Sequence, residues 1–139
     1  MAEGNRFGGR TAMVTGAASG IGRATALRLA ADVRDANSVA GALQAVETEL
    51  GPVRILANVA GVLRFAHTHE ASVDDWDLLV DVNLKGPFLM SRAVIPGMLQ
   101  QGGGAIVNVA SVAGVFGQAY TAAYCASKGG VVQLTRALA

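Results

Sequence analysis

Three short apolar runs, separated by longer segments of helical pattern, constrain the fold of this chain more than any other feature. The runs begin "TAMVTG", "VRILANVAG" and, after a glycine turn, "AIVNVAS". Apolar strands that alternate with helices are typical of parallel strands joined by crossover helices. The sequence therefore predicts an α/β fold of three layers, in which helices cover both faces of a parallel sheet of about three buried strands. We expect residues 1–139 to form a single domain.

The segments between the runs predict the helices and their ends. In "NSVAGALQAVETEL" we expect Asn37 or Ser38 to cap a helix that stops at "GP". A second helical pattern covers residues 72–101 with an interruption near "KGP", and Pro96 is expected to kink or end it. A last helix is predicted over residues 121–139. Four apolar residues share one face of the first of these helices: Val39, Leu43, Val46 and Leu50.

Composition excludes several classes of partner. The chain is 52% hydrophobic and 15% charged, and its net charge of +1 comes from scattered Lys and Arg rather than from a basic stripe. We therefore expect no nucleic-acid or membrane partner. The N-terminal "MAEGNRFGGR" lacks the apolar core of a secretory signal, and the one cysteine, Cys125, cannot form an internal disulfide. These features predict a cytoplasmic protein.

The segment "TGAASGIG", from Thr15 to Gly22, lies where the first strand gives way to a helical pattern. Glycines at such a junction allow a tight turn and a close approach of the backbone to a pyrophosphate, whose charge the N–H groups of the helix start can meet. A glycine-rich turn without a ligand is the alternative. The strand before it and the helical pattern after it favour dinucleotide binding.

The segment "YCASK" places the phenol of Tyr124 four residues before the ammonium of Lys128, on one face of the last predicted helix. A free phenol has a pKa of about 10, too high for a base at neutral pH. A cation about 4 Å from the ionised phenol stabilises that charged form by about 1 kcal/mol in water but by about 4 kcal/mol at an effective dielectric constant near 20. The pairing therefore predicts acid–base chemistry in a closed, partly dry site. The alternative is a packed tyrosine and a solvated lysine.

Five features occur in this order along the chain: "TGAASGIG", "NVAG" (58–61), Asn83 in "DVNLKG", Ser111 in "NVAS" and "YCASK". Together they resemble the motifs of the short-chain dehydrogenase/reductase family, over residues 10–139. The thirteen positions from Ser111 to Tyr124 also match. The resemblance implies a Rossmann-like fold and an oxidoreductase that moves hydride between NAD or NADP and a small-molecule alcohol or carbonyl substrate. It also implies a homo-oligomer, built on the helices of "LKGPFLMSRAVIPGML" and "TAAYCASKGGVVQLTRALA".

The resemblance assigns a role to each matching residue. Tyr124 is the general acid or base, and Lys128 supports it and binds the nicotinamide ribose. Ser111 holds and polarises the substrate oxygen, and Asn83 positions a water in the proton relay. Besides Tyr124 and Lys128, the residues implied in cofactor binding are Gly16, Ser19, Gly20, Ile21, Gly22, Asp32, Val33, Asn58, Ala60 and Gly61. Ser19, where NADP-preferring members often carry a basic residue, favours NAD.

Two other polar clusters are interpreted structurally. "HTHE" (67–70) contains alternate histidines, but it lies in a polar connection without further ligands, so we expect a solvated loop and no metal site. The acidic run "DDWD" (74–77) is favourable charge near a helix start, with Trp76 expected to pack inward.

The chain departs from the family pattern at three places. Val59 replaces the usual second asparagine of "NVAG", which leaves the turn intact. Only ten positions separate Gly22 from Asp32, too few for a βαβ unit of about 30 residues, so we expect an internal deletion that removes the second strand. The chain also stops at Ala139, within the "YCASK" helix, and we expect truncation there. Weak dinucleotide binding and little turnover are therefore expected, and the alternative function is a non-catalytic remnant that binds only nucleotide or a partner chain.

Overall fold

A computed structural model describes residues 10–16 and 31–139 of the chain. The helix predicted directly after the glycine loop lies outside these residues, and so do Ser19, Gly20, Ile21 and Gly22. The described strands are β1 (Thr11–Val14), β2 (Val53–Asn58) and β3 (Ala105–Asn108). They form a parallel sheet in the order β1-β2-β3, in which Leu56 is paired with Met13 on one side and with Ile106 on the other. The predicted parallel sheet of about three strands is confirmed.

Four α-helices flank this sheet in the described part of the chain: α1 (Ala36–Leu50), α2 (Val73–Val80), α3 (Gly86–Gln100) and α4 (Ala122–Leu138). A π-helical turn, Asp81–Lys85, joins α2 directly to α3, and a short 3-10 turn, Val112–Gly114, lies between β3 and α4. The interruption predicted near "KGP" is therefore present, but it falls on "DVNLK". None of the helices in the described ranges is long and apolar enough to cross a membrane.

A hydrophobic core lies where α1 and α3 pack on one face of the sheet. Met13 and Leu56 contribute from neighbouring strands and are almost completely buried. Fully burying one such aliphatic side chain contributes about 1.5–3 kcal/mol, so this layer fixes both helices against the strands. The remaining buried members of the cluster are Val33, Val39, Val46, Val53, Leu89, Met90, Val94 and Met98.

The third strand is less buried than the sequence predicts. Ile106 packs against the core on the same face as Leu56. Val107 points to the opposite face because side chains alternate along a strand, and it is 55% exposed. Composition alone does not distinguish a strand buried on both faces from one buried on a single face. The prediction of a fully buried third strand is wrong for the described structure.

The ends of the helices correct three further predictions. The cap of α1 is Asp35, whose carboxylate accepts a hydrogen bond from the backbone N–H of Ser38 at 2.6 Å. Neither Asn37 nor Ser38 caps the helix, because the chain is already helical from Ala36. Leu50, at the last turn, is 67% exposed rather than buried. Pro96 lies inside α3, which continues to Gln100.

The start of α2 follows the predicted charge pattern but not the predicted packing. The Ser72 hydroxyl caps the helix by accepting from the backbone N–H of Asp75, and Asp74 and Asp75 occupy the first turn. Carboxylates there are favourable because of the partial positive charge at a helix N-terminus. Trp76 is 44% exposed, so the expectation that it packs inward is wrong.

Two consecutive glycines of α4 are explained by close packing within the chain. A Cβ on Gly130 would lie 2.6 Å from Leu84 Cδ2, so the π-helical turn packs directly against the backbone of α4. A Cβ on Gly129 would lie 3.4 Å from the carbonyl oxygen of Gly114. A glycine in a helix interior is unfavourable by roughly 0.5–1 kcal/mol relative to alanine. Here the absent side chains allow α4 to approach the elements that carry the site.

Candidate active site

The candidate site lies beyond the carboxyl ends of the strands, where parallel α/β sheets commonly bind ligands. The turn after β1 and the turn after β2 are held together there. The Thr15 hydroxyl accepts hydrogen bonds from the backbone N–H groups of Val59 and Ala60, at 3.0 and 3.1 Å. The "NVAG" turn is therefore intact with valine at position 59, as the sequence predicts.

Gly16 must be a glycine at this junction. Its φ is +72°, a conformation that residues with a Cβ rarely adopt. A Cβ on Gly16 would also lie 2.8 Å from both the N and the Cα of Ala60. The first glycine of the predicted phosphate loop thus packs directly against the "NVAG" turn, so Gly16 and Ala60 are brought together.

Asn58 is the last residue of the central strand β2, and it is buried rather than exposed. Its side chain is 2% exposed, and its Nδ2 donates to Oδ1 of Asn108 at 2.8 Å, which joins the ends of β2 and β3. Asn108 in turn donates to the hydroxyl of Thr135 on α4 at 3.0 Å. The observed contacts of Asn58 therefore fix the strand ends on which the site is built.

Asn83 lies at the centre of the π-helical turn and is completely buried. Its Oδ1 accepts from the backbone N–H of Val62 at 2.8 Å, and its Nδ2 donates to the carbonyl oxygen of Val62 at 2.9 Å. Nδ2 also donates to the hydroxyl of Ser127 at 3.1 Å. π-Helical turns inside α-helices are frequent at functional sites. This turn orients the amide of Asn83 toward the segment after β2 and toward α4.

Lys128 is 4% exposed, which is unusual for an ammonium group. Its Nζ donates to the carbonyl oxygen of Val109 at 2.7 Å. A Cβ on Gly61 would lie 3.5 Å from this Nζ and 3.4 Å from Oδ1 of Asn83, so Gly61, Asn83 and Lys128 meet at one point. Burial lowers the pKa of Lys128 from its ordinary value, because it disfavours the charged form.

Tyr124 is half-buried on the same side of α4 as Lys128. The Nζ of Lys128 lies 6.0 Å from the centre of the Tyr124 ring, at the outer limit of a cation–π contact. The predicted pairing of phenol and ammonium along one helix face is therefore present.

Ser111 lies at the start of the 3-10 turn that follows β3. Its hydroxyl accepts from the backbone N–H of Ala113 at 3.2 Å. The same turn packs against α4, because a Cβ on Gly114 would lie 2.6 Å from the carbonyl group of Lys128. No hydrogen bond joins Ser111 to Tyr124 among the residues described, so Ser111 is placed near the helix of Tyr124 by backbone packing.

Asp32 and Val33 contact other parts of the molecule. The carboxylate of Asp32 binds the guanidinium of Arg34 through both oxygens, with a shortest separation of 2.6 Å, and this hydrogen-bonded pair lowers the pKa of Asp32 to about 2. Val33 is buried in the core against Gly86, whose Cβ would lie 2.9 Å from it. Among the described residues no hydrogen bond or ion pair joins Asp32 to Asn83 or Lys128, and the adenine-side role of Asp32 and Val33 stays a prediction.

The "HTHE" segment is exposed, as predicted. His67 contacts the ring of Tyr120 edge-on, with 4.8 Å between centroids, and lies 5.6 Å from His69. Within residues 10–16 and 31–139, no group of three or more His, Cys, Asp or Glu side chains is arranged to hold a metal ion.

Sequence reasoning missed three groups of the site: Ser127, Gly114 and the carbonyl oxygen of Val109. Only the tertiary structure places the Val109 carbonyl against Lys128. Ser127 lies inside "YCASK", and its position one residue before Lys128, on a helix turn that faces the core, was the available signal. Gly114 could be noticed only as a glycine shortly after a strand.

Comparison with known proteins identifies the family. Residues 27–139 match the model of the short chain dehydrogenase family, and the chain belongs to that family. The parallel sheet with flanking helices is the Rossmann-like fold that the resemblance implies.

Three named relatives show how much of the family fold is present. D-threitol dehydrogenase of Mycolicibacterium smegmatis is 43% identical over 168 aligned positions, which cover 96% of this chain and 65% of the relative. Inactive 2-(S)-hydroxypropyl-CoM dehydrogenase 2 of Xanthobacter autotrophicus is 46% identical, covering 88% and 53%. 2-Dehydro-3-deoxy-L-rhamnonate dehydrogenase (NAD(+)) of Sphingomonas is 37% identical, covering 96% and 66%.

The chain thus spans about half to two thirds of the length of these relatives. The alignment with D-threitol dehydrogenase has 168 positions, more than the 139 residues of the chain, so the relative has positions inside the aligned region that this chain lacks. This agrees with the internal gap expected from the short interval between Gly22 and Asp32.

Proposed function

We propose that this protein is an oxidoreductase that transfers hydride between a nicotinamide dinucleotide and an alcohol or carbonyl compound. The observation that carries the proposal is the meeting of Lys128, Asn83 and Gly61 beside Tyr124 at the carboxyl ends of the strands. Burying an ammonium is unfavourable unless its donors find partners. A buried ammonium with one protein acceptor among the described residues is suited to bind a polar ligand as well.

The residues present fit a dinucleotide. The Lys128 ammonium has three N–H donors, and among the described residues only the carbonyl oxygen of Val109 accepts from it. Ribose hydroxyls would be suitable acceptors for the others. Gly16, Ala60 and Gly61 present backbone without bulky side chains, which permits close approach of a pyrophosphate and ribose. When bound, the nicotinamide ring supplies the hydride acceptor or donor; we propose NAD rather than NADP, since Ser19 carries no positive charge.

The chain's own residues would move and hold the proton. Tyr124 would give or take the proton of the substrate oxygen as hydride is transferred, and Ser111 would bind the same oxygen. The side-chain amide of Asn83 is already bonded to Val62 and Ser127. We therefore propose that any water near Asn83 is held by main-chain groups of the π-helical turn rather than by its amide.

The broader predictions from the sequence remain proposals. We propose a single, incomplete Rossmann-type domain over residues 1–139, a cytoplasmic location, a small-molecule substrate and a homo-oligomer. One relative is named as inactive, so family membership alone does not establish turnover. The support for activity comes from the retained Tyr124, Lys128, Ser111 and Asn83, and from the meeting of Asn83 and Lys128 at Gly61, with Lys128 on the helix that carries Tyr124.

The test compares two tyrosine-to-phenylalanine substitutions, one at Tyr124 and one at a control tyrosine. Tyr124→Phe keeps the ring but removes the proton, so turnover with NAD and a panel of alcohols should fall by about 10²-fold or more, while NAD affinity changes little. Tyr120→Phe is the control, since Tyr120 is an exposed tyrosine of the adjacent turn. Enzyme at high concentration is required because weak binding is expected.

The proposal fails if the wild-type chain, with its mass confirmed, neither binds NAD or NADP by calorimetry nor changes nicotinamide absorbance with any substrate of the panel. The assignment of Tyr124 fails separately if both tyrosine variants retain the same turnover.

A further inference from the structure

Ser127 is a completely buried serine whose hydroxyl is bonded in both directions. Its Oγ donates to the backbone carbonyl oxygen of Tyr124 at 2.9 Å and accepts from Nδ2 of Asn83 at 3.1 Å. A hydroxyl has one proton to donate, and here that proton is directed at the backbone carbonyl oxygen of Tyr124, the residue whose phenol is proposed to react. The acceptor side is directed at the π-helical turn, 44 residues away in the sequence.

Through this hydroxyl, one chain of hydrogen bonds crosses the site. It starts at the backbone of Val62 after β2, passes through both ends of the Asn83 amide and through Ser127, and ends on the turn of α4 that carries Tyr124 and Lys128. The point where Gly61 approaches Asn83 and Lys128 lies beside this chain. Buried networks in which every group is satisfied fix a single arrangement of the elements that they join.

Packing alone does not explain a serine at position 127. An alanine would occupy almost the same volume and would bury no polar group. Ser91 on α3 provides the contrast, because it is 1% exposed and its hydroxyl has no hydrogen-bond partner among the described residues. Of these two buried serines, only Ser127 connects two elements of the site.

We propose that Ser127 is a positioning residue, which holds the Asn83 turn and the Tyr124–Lys128 turn of α4 in one fixed relation. This inference rests on the proposed function for its catalytic consequence, while the coupling of Ser127 to Asn83 can be measured without any cofactor. Loss of the hydroxyl removes both of its bonds at once: one N–H of the Asn83 amide loses its acceptor, while the two bonds between Asn83 and Val62 remain.

The first arm of the test is spectroscopic and uses the whole chain without cofactor. The side-chain amide protons of Asn83 should exchange with solvent about fivefold faster in Ser127→Ala than in wild type, which corresponds to the roughly 1 kcal/mol of one net hydrogen bond. Ser91→Ala is the matched control and should leave this exchange rate unchanged. If Ser127→Ala does not fold, Ser127→Cys retains the volume with a weaker acceptor and should give a smaller increase in the same direction.

The second arm separates positioning from a merely structural role. In the NAD-dependent assay, kcat of Ser127→Ala should fall about tenfold with KM changed less than about twofold, and Ser127→Cys should recover part of it. Unchanged Asn83 exchange in Ser127→Ala overturns the inference, and so does normal kcat in an active preparation. If wild type neither binds cofactor nor turns over, the proposed function fails, and the exchange rate alone decides whether Ser127 holds Asn83.

Discussion

At the scale of single residues, Lys128 is a buried ammonium whose burial opposes folding and whose position supports its proposed role. Lys128 is 4% exposed, and its ammonium has one protein acceptor among the described residues. Burial lowers its pKa in the folded state below the unfolded value of 10.5. At a pH below the folded-state pKa, both the folded and the unfolded protein carry the proton on Lys128. The unfavourable free energy of burying the charge is then fully present in the folded state. As pH rises from the folded pKa toward 10.5, the unfolded state binds more protons, so the free energy of unfolding increases.

We therefore expect Lys128→Met to be more stable than wild type at neutral pH. An increase in Tm of a few degrees is the shift that corresponds to about 1 kcal/mol in a domain of this size. The alkaline rise in stability should be smaller in the variant, because the titrating group is gone. Thermal unfolding followed by circular dichroism at pH 7 and at pH 10 checks both points, with the exposed Lys85→Met as control. A large drop in Tm at pH 7 would contradict the expectation.

Asp32 provides a second prediction at this scale. Its hydrogen-bonded pair with Arg34 holds the pKa of the carboxyl at about 2, below the ordinary value of 3.8. A depressed folded-state pKa gives a contribution that is present above 3.8 and is lost as pH falls through about 2. A carboxyl-carbon NMR titration should place the Asp32 midpoint near 2, and Arg34→Gln should move it up toward 3.8. An unchanged midpoint in Arg34→Gln would show that the pair does not set the pKa.

At the scale of elements, the 3-10 turn and α4 meet so closely that a glycine is required between them. A Cβ on Gly114 would lie 2.6 Å from the backbone carbonyl of Lys128, and backbone atoms there cannot rotate away as a side chain could. Gly114→Ala should therefore push the Ser111 turn away from α4 and lower stability by about 1–3 kcal/mol, the usual range for overpacking.

Gly117→Ala is the control for that substitution, since nothing lies within 4 Å of a Cβ at position 117. Urea unfolding of both variants gives the comparison, and equal midpoints would show that the Gly114 contact is not limiting. In an active preparation, Gly114→Ala should also lower turnover more than Gly117→Ala, because the turn carries Ser111.

The elements also show which parts of the fold could be read from the sequence. The sequence predicts helix α4 to within one residue at each end, and it predicts β2 with the correct start but an end three residues too late, because each is a clear amphipathic or apolar pattern. The cap of α1 was misplaced, since Asp35, Asn37 and Ser38 are all good capping residues and only the backbone geometry selects one. The predicted burial of Val107 failed because periodicity does not show what covers each face of a sheet.

At the scale of the whole molecule, exposed apolar side chains on α3 and α4 support the proposed homo-oligomer. Phe88 is 46% exposed, Leu99 is 71% exposed and Leu138 is 40% exposed. Such groups are common at protein–protein interfaces when they are contiguous. We expect light scattering at micromolar concentration to show a dimer or a larger assembly.

A charge placed on the proposed interface tests its location. Phe88→Glu should shift the assembly toward monomer, because an unpaired carboxylate is unfavourable in a buried contact. Phe65→Glu is the control, since Phe65 is also exposed, at 64%, but lies in the loop after β2. A stable wild-type monomer at micromolar concentration would contradict the homo-oligomer, and an equal effect of both substitutions would contradict the assignment to α3 and α4.

The sequence by itself determined the class of fold, the order of the elements and the motifs from which the site residues are proposed. These follow from local rules: apolar periodicity sets strands and helices, glycines mark the turn after β1, and a spacing of four places Tyr124 and Lys128 on one helix face. Only the tertiary structure decided that Lys128 is buried beside Gly61 and Asn83, that Ser127 joins Asn83 to α4, and that Asp32 pairs with Arg34. Those contacts depend on how distant segments pack, and no local pattern in the chain specifies the partner of a buried polar group.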